Sequence, residues 1–467
     1  MSAALWMVVA GAALPVLGAV GVALRRRADR ALVVGAAGLG ALSTTLGAVL
    51  SERGTVAHAV VDGALLFALD PIAATLAPAL GLVAVAAALA LPERALTMRG
   101  AGAALLMQGL STALLAVADL RLLLLFELLK LVAVVWALRG GRAGRLAAVT
   151  LGLSGLLLVA LSALLLGRAG WSAPMTAHVA ALAEHPTWLL ALGLAGLLRL
   201  GVFPFHGWLV AAFEEGHPAQ ILPLAIPASA LVIIVRLVSP ALEIALPGAH
   251  GVIVVVALLA ALLSQGLALV QVDLGRALGF SVTAGLAALL VGAIDVDPIG
   301  RAGGVAHWAA WVLAIGGFVL AAGAAMARLG RVDLRRSHAL NERAPRLGGL
   351  FVMLGFATAA GPGTVDFVSA DLMLHGTVGH HWPQLLLLIA VMGVQGMNVL
   401  RWYFQIFTGP APTFADPRAE MPLRLRERVG LMVVLAVLLI GGLAPNALPV
   451  IEHAAAQVAP GDLAHRP

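Results

Sequence analysis

The chain reads as an all-α protein that crosses a membrane many times. Three observations predict this. Hydrophobic residues make up 61% of its 467 residues and charged residues only 11%, whereas soluble domains carry about 25% charge. Mostly apolar runs of about 20 residues, the length that spans a bilayer, recur about fourteen times. Arginines gather in alternate connections between those runs.

The runs begin near Ala3, Ala31, Leu66, Ala101, Leu120, Leu146, Trp188, Leu222, Gly251, Leu278, Ala302, Gly348, Gln384 and Gly430. Met1–Leu24 has the length of a signal peptide. It reads as a retained first helix, because more spans follow and no small-residue cleavage site stands out. Arg25, Arg26, Arg27 and Arg30 follow the first run. Asp70 opens the third as an N-cap. Arg139, Arg142 and Arg145 follow the fifth, and Arg328, Arg331, Arg335, Arg336, Arg343 and Arg346 the eleventh. Arg418, Arg424, Arg426 and Arg428 precede the fourteenth, at the end of the polar stretch Gly409–Arg428. With fourteen runs all these loops share one side, and the opposite loops hold scattered arginines such as Arg53, Arg168 and Arg301. The positive-inside rule then puts both termini on the non-cytoplasmic face.

Two regions break the pattern. Prolines interrupt residues 188–237, and Gly361, Pro362 and Gly363 sit mid-run in residues 348–375. Irregular backbone at bilayer depth survives only inside protein or beside a polar cavity. Two broken segments in different parts of a chain point to an ion path.

Composition also excludes functions. Without Cys there is no disulfide, thiolate metal site or cysteine-ligated iron–sulfur cluster. The net charge of +6 reflects arginines facing lipid headgroups, not nucleic-acid binding. No nucleophile triad, phosphate loop or metal cluster occurs in a polar segment, so a soluble enzyme is excluded. GxxxG-like pairs such as Gly11–Gly18 identify no interface in a chain with 53 Gly.

The chain's only lysine, Lys130, lies inside an apolar run, three residues after Glu127. An ionised side chain at bilayer depth costs roughly 2.5–3.5 kcal/mol on insertion scales. Residues three apart share a helix face, so the two charges offset each other. The pair is a functional-site hypothesis; the alternative is a structural pair that fixes helix packing. Lys130 is read equally as a relay group, since a buried lysine loses its proton readily, and as a static counter-charge. Snorkelling is strained about 15 Å into the span.

Several stretches, in order, resemble the antiporter-like subunits of proton-pumping NADH-quinone oxidoreductase (complex I). The wider family includes large subunits of multisubunit cation/proton antiporters and membrane-bound hydrogenases. VADLRLLLLFELLKLVAVVWAL resembles the family's fifth helix, LLRLGVFPFHGWLVAAFEEGHPAQ its seventh, and QVDLGRALGFSVTAG the opening of its tenth. HWAAWVLAIGGFVLAAG resembles the eleventh and NERAPRLGGLFVMLGFATAAGPGTVDFVSADLMLHG the broken twelfth. The last is most similar to the M-type (chain 4) subunit, and the short tail after Ala455 argues against the L-type.

The resemblance implies fourteen helices with two inverted five-helix repeats and discontinuous helices. The first covers 101–237, broken near 199–209; the second covers 251–408, broken near 358–371. It implies no cofactor in this subunit. The implied partners are other membrane subunits of a respiratory or hydrogenase-like complex, in a bacterial inner (cytoplasmic) membrane. The implied function is proton conduction in response to redox chemistry in those partners. The rival is a non-pumping scaffold, or a membrane partner in an inorganic-carbon uptake complex or multisubunit cation/proton antiporter.

By the same resemblance, Glu127 matches the fifth-helix glutamate. Arg199 stands where the family usually has its pumping lysine, and arginine cannot deliver a proton as lysine does. It can hold Glu127 ionised; otherwise it packs helices near the proline break. Histidine ordinarily titrates near neutrality, so His206 in PFHGW is read as a proton carrier or a cap. His307 matches the eleventh-helix histidine. Ala228, Trp311 and Ala370 replace ionisable family residues. Asp371 is read as the exit-side carboxylate if the break rotates it inward, and Asp366 as a cap of the second half-helix.

Overall fold

The computed structural model describes residues 2–51, 57–61, 64–171, 173, 175–226, 228–295, 297–378, 382–410 and 422–445. Arg418, most of the polar stretch 409–428 and the tail after Ala455 lie outside the described residues, as does the side chain of Ala228.

Helices dominate. In the first half they are α1 (Ala3–Arg25), α2 (Arg30–Leu50), α3 (Pro71–Ala90), α4 (Met98–Ala116), α5 (Leu120–Ala137), α6 (Arg142–Ala169), α7 (Met175–Glu184), α8 (Pro186–Leu200) and α9 (Gly207–Glu215). An apolar run over 218–245 follows: α10 (Pro218–Ala225), α11 (Ala228–Ile233), a π-helical turn (Ile234–Val238) and α12 (Ser239–Ala245). The second half holds α13 (Ala249–Val270), α14 (Leu274–Ala293), α15 (Pro298–Leu329), α16 (Pro345–Thr358), α17 (Val365–Val378), α18 (Trp382–Phe407) and α19 (Leu425–Leu443). Among the described residues, nine helices are long and apolar enough to cross a membrane, or ten if α7 and α8, bent by 118°, form one span.

One expected start is corrected. The third run was placed from Leu66, but its helix begins at Pro71. The chain before it forms an antiparallel hairpin of β1 (Ala57–Val61) and β2 (Ala64–Leu69). Proline is favoured at a helix's first position, and Asp70 caps that helix, accepting from Ala73 N at 2.8 Å. Phe67 bridges to Val117 and Leu66 O accepts from Ala118 N, so β2 is held by the turn between α4 and α5.

Contacts between connections set one face of the bundle. Arg30 pairs with Glu93 at 2.8 Å, and Arg426 reaches the same carboxylate at 3.3 Å. Arg328 pairs with Glu427 at 2.7 Å, and Arg331 with Asp273 at 2.7 Å. These arginines come from three separate stretches of the chain and converge on one end of the molecule.

Two apolar stretches are interrupted along their length. Helix α8 ends at Gly201 in a left-handed turn (φ 66°), and α9 restarts at Gly207. Helix α16 ends at Thr358. Ala360 (φ 52°) and Gly363 (φ 87°) then turn the chain before α17.

Candidate ion-conducting site

The first cluster is built on α4, α5 and α8. Glu127 sits about two turns into α5, whose start is fixed by Asp119 capping Arg121 N and Leu122 N. Glu127 is 0% exposed, and Arg199, at the end of α8 beside the break, is 7% exposed. Their Oε2–Nη1 distance is 2.8 Å. Lys130 is also buried; its Nζ donates to Ser111 Oγ on α4 at 3.0 Å. Two cations and one carboxylate thus share a low-dielectric interior. Stripping charge from the carboxylate there would leave like charges facing each other, a costly arrangement.

The second cluster is built on α15 and α17. His307 Nδ1 lies 3.0 Å from Asp366 Oδ1, both nearly buried. They line a cavity of about 30 Å³, closed in part by Trp311 and Gly285. A water needs about 10–15 Å³ of such space, so the cavity has room for about two. Neutral amides extend it into α13 and α18. Gln395 Oε1 accepts from Gln265 Nε2 at 2.7 Å and from Ser281 Oγ at 2.8 Å. Gln395 Nε2 donates to Thr358 Oγ1 at 2.7 Å, and Asn398 Nδ2 to Gln265 Oε1 at 2.9 Å. Such bonds glue helices in lipid and leave Asp366 as the carboxylate in the cavity wall.

His206 lies elsewhere. It sits at the start of α9, half-buried, stacked on Phe203 (5.3 Å between centroids) and facing Phe280 of α14 (5.4 Å). Ser281, the next residue of α14, lines the His307–Asp366 cavity.

The expectation for the twelfth run is corrected on two points. Asp371 does not face the cavity: its side chain is 51% exposed and lies near His375, at 3.6 Å. Asp366 is not the cap. Thr364 Oγ1 accepts from Phe367 N at 3.3 Å and takes that role. The reason is where the helix restarts. With α17 beginning at Val365, Asp366 meets the cavity, and Asp371, five residues on, points about 140° away. Ala370 is buried.

Sequence reading also missed Arg236. It lies in the π-helical turn and donates to Val117 O at 2.5 Å, Leu115 O at 2.6 Å and Asp70 Oδ2 at 2.8 Å. An arginine inside an apolar run, seen against Asp70 and the end of the fourth run, was the available signal.

A bundle with two broken helices and buried ionisable clusters beside each break defines a class of ion-translocating membrane subunits. The chain belongs to the NADH:quinone oxidoreductase/Mrp antiporter transmembrane family, whose pattern matches residues 120–395. It is similar to NADH-quinone oxidoreductase subunit 13 of Thermus thermophilus, 29% identical over 79% of this chain and 82% of that one. It is also similar to subunit N 2 of Syntrophobacter fumaroxidans (27%, over 57% of each chain) and subunit M of Mycobacterium tuberculosis (24%, over 56% of this chain and 47% of that one). The match spans about half the length of these last two relatives. The fold is shared with respiratory complex I from Thermus thermophilus with bound NADH (TM-score 0.83, 23% identity, 97% of this chain and 100% of that one). It is shared equally with the Mrp complex from Dietzia (TM-score 0.82, 18% identity, 99% and 98%).

Proposed function

We propose that this chain is a proton-conducting membrane subunit of a complex I-like oxidoreductase, driven by redox chemistry in partner subunits. The observation that carries the reading is the buried Glu127–Arg199 pair at the α8–α9 break, with Lys130 one turn from Glu127. A charged triad at bilayer depth is retained against a cost of several kcal/mol, and such groups mark ion pathways. Glu127 is the proton-holding group. Arg199 keeps its charge throughout and opposes it. When a proton reaches Glu127, the pair loses its attraction and Arg199 is freed toward other acceptors. His307 and Asp366 form the second proton-holding pair, and His206 stands at the start of α9 beside Phe280 of α14.

In this reading fourteen spans cross the membrane. The nine apolar helices are joined by α4, α5, α19 and the broken pairs α8–α9 and α16–α17. The breaks occupy corresponding places in residues 101–237 and 251–408, which supports two inverted repeats. The converging arginines support a cytoplasmic assignment of their face, with both termini on the other side.

Redox-driven proton uptake is to be measured in vesicles holding the whole complex with Glu127→Gln. Loss of most uptake with the complex assembled is expected; unchanged stoichiometry would overturn the reading. A second reading has its own support. Arg199 stands where the family usually has a releasable lysine and Trp311 lines the His307–Asp366 cavity, as suits a scaffold or an antiporter-type partner that moves no protons through this chain.

A further inference from the structure

We propose that Trp311 is a barrier that keeps the His307–Asp366 pair out of proton contact with the arginine-rich end of the bundle. The proposal rests on the proton-conducting reading and deepens it, by fixing the side from which the second cluster exchanges protons.

The register of α14 against α15 sets the levels. Gly292 meets Gly304 and Gly285 meets Trp311, so the two helices run antiparallel. Helix α14 begins beside Asp273, whose partner Arg331 belongs to the arginine-rich end. Ser281 therefore lies about one turn nearer that end than Gly285. His307 lies about one turn farther from it than Trp311. Along the bundle, Ser281 and His307 are about 12 Å apart, and Trp311 occupies the level between them.

Polar groups stand on both sides of that level. Toward the arginines, Ser281 and Gln265 both donate to Gln395, and Asn398 donates to Gln265. Three residues beyond Asn398, Arg401 donates to Gln271 O at 3.1 Å, at the end of α13. Asn398 Oδ1 and Arg401 Nη1 are buried without a hydrogen-bond partner among the described residues. On the far side stand His307 and Asp366, 3.0 Å apart. Between the two sets the cavity wall is apolar, built by Trp311, Ile315, Leu388, Val391 and Met392. Apolar constrictions block conduction by excluding water.

The ring fits its place closely. A Cβ on Gly285 would overlap the indole nitrogen, so glycine lets the ring lie against the backbone of α14. The indole N–H donates a hydrogen bond but carries no proton onward. The space left beside it is about 30 Å³, room for about two waters. Two waters bridge three hydrogen bonds, roughly 8 Å, which falls short of the separation between Ser281 and His307. A core-filling role explains why Trp311 is buried. It does not explain why the bulk stands at the apolar level between two polar sets.

With the ring removed, water fills its place. A hydronium on the Ser281 side then passes one proton along that water to the Asp366 carboxylate and becomes water. The acid so formed gives one proton to water on the far side and is a carboxylate again. Net, one proton crosses without any redox step.

The test uses vesicles holding the whole complex with no electron donor added. A pH step is imposed, and proton leak is followed with a trapped pH-sensitive dye. Trp311→Ala should raise the leak about tenfold, equivalent to lowering a barrier by about 1.36 kcal/mol. Trp311→Phe should give a smaller rise, and it decides the matter if Trp311→Ala fails to assemble. Adding Asp366→Asn to either variant should return the leak to the parent level, which a leak from loosened packing would not do. An unchanged leak in the assembled Trp311 variants overturns the barrier, and so does a leak that survives Asp366→Asn. The leak is read without turnover and away from Glu127. A failed barrier alongside lost redox-driven uptake in Glu127→Gln would therefore leave the proposed function standing.

Discussion

Replacing Arg199 by Gln leaves the buried Glu127 carboxylate with Lys130 as its nearest cation. Removing one partner of a buried pair costs about 3–5 kcal/mol, mainly from the charge left behind. Arg199→Gln is therefore expected to lower thermal stability of the detergent-solubilised complex, and Arg199→Lys to restore most of it. Equal unfolding temperatures for Arg199→Gln and the parent would show that the ion pair carries no such load. The two aspartates after the second break give a sharper contrast. Asp366 meets His307 in the cavity wall, whereas Asp371 looks outward. Under the proposed function, Asp366→Asn should cut proton uptake at least about tenfold, as loss of a positioned acid–base group does. Asp371→Asn should leave it unchanged, and the reverse outcome would restore Asp371 as the exit carboxylate. The sequence reading favoured Asp371 as the exit-side carboxylate and left Asp366 as a cap. Five residues separate them, and the face each takes depends on the residue at which α17 resumes.

Helix pairs in this bundle approach through glycine. On α14 and α15, Gly292 and Gly304 face each other so closely that a Cβ on either would overlap the other's backbone. With no hydrophobic drive between helices in lipid, close backbone packing is what holds them. Gly304→Val should therefore destabilise by about 1–3 kcal/mol, the usual cost of overpacking, read as a lower unfolding temperature in detergent. A variant as stable as its parent would mean that this crossing is looser than described. The two broken helices were legible in sequence because proline and glycine interrupt long apolar runs. The hairpin before α3 was not. Its strands are as apolar as the helix they precede, and only the pairing of β2 with the turn after α4 sets them apart.

Across the molecule, charges at the arginine-rich end tie the first helices to the last. Glu93 receives Arg30 and Arg426, from opposite ends of the chain. The hydrogen bond and charge of Arg30, helped by Arg426, hold the Glu93 carboxyl below its ordinary value of 4.5. A carboxyl so lowered stabilises the fold above that ordinary value and loses its contribution as pH falls through the lowered one. Glu93→Gln should thus cause a small drop in unfolding temperature at neutral pH, and the difference should vanish in strong acid. An equal difference at both pH values would point to packing rather than charge.

By itself the sequence determined the membrane class, the near-positions of the long apolar helices, the proline and glycine interruptions, and the placing of Glu127 and Lys130 three residues apart in one apolar run. These follow from local rules: apolar length, proline and glycine, and the cost of a charge in lipid. Tertiary structure decided which polar groups meet. Arg199 closes on Glu127, Asp366 rather than Asp371 joins His307, and Gln265, Gln395 and Asn398 link two helices more than a hundred residues apart. The physical reason is that a side chain's face follows from its helix's start and rotation, and neighbouring helices set both.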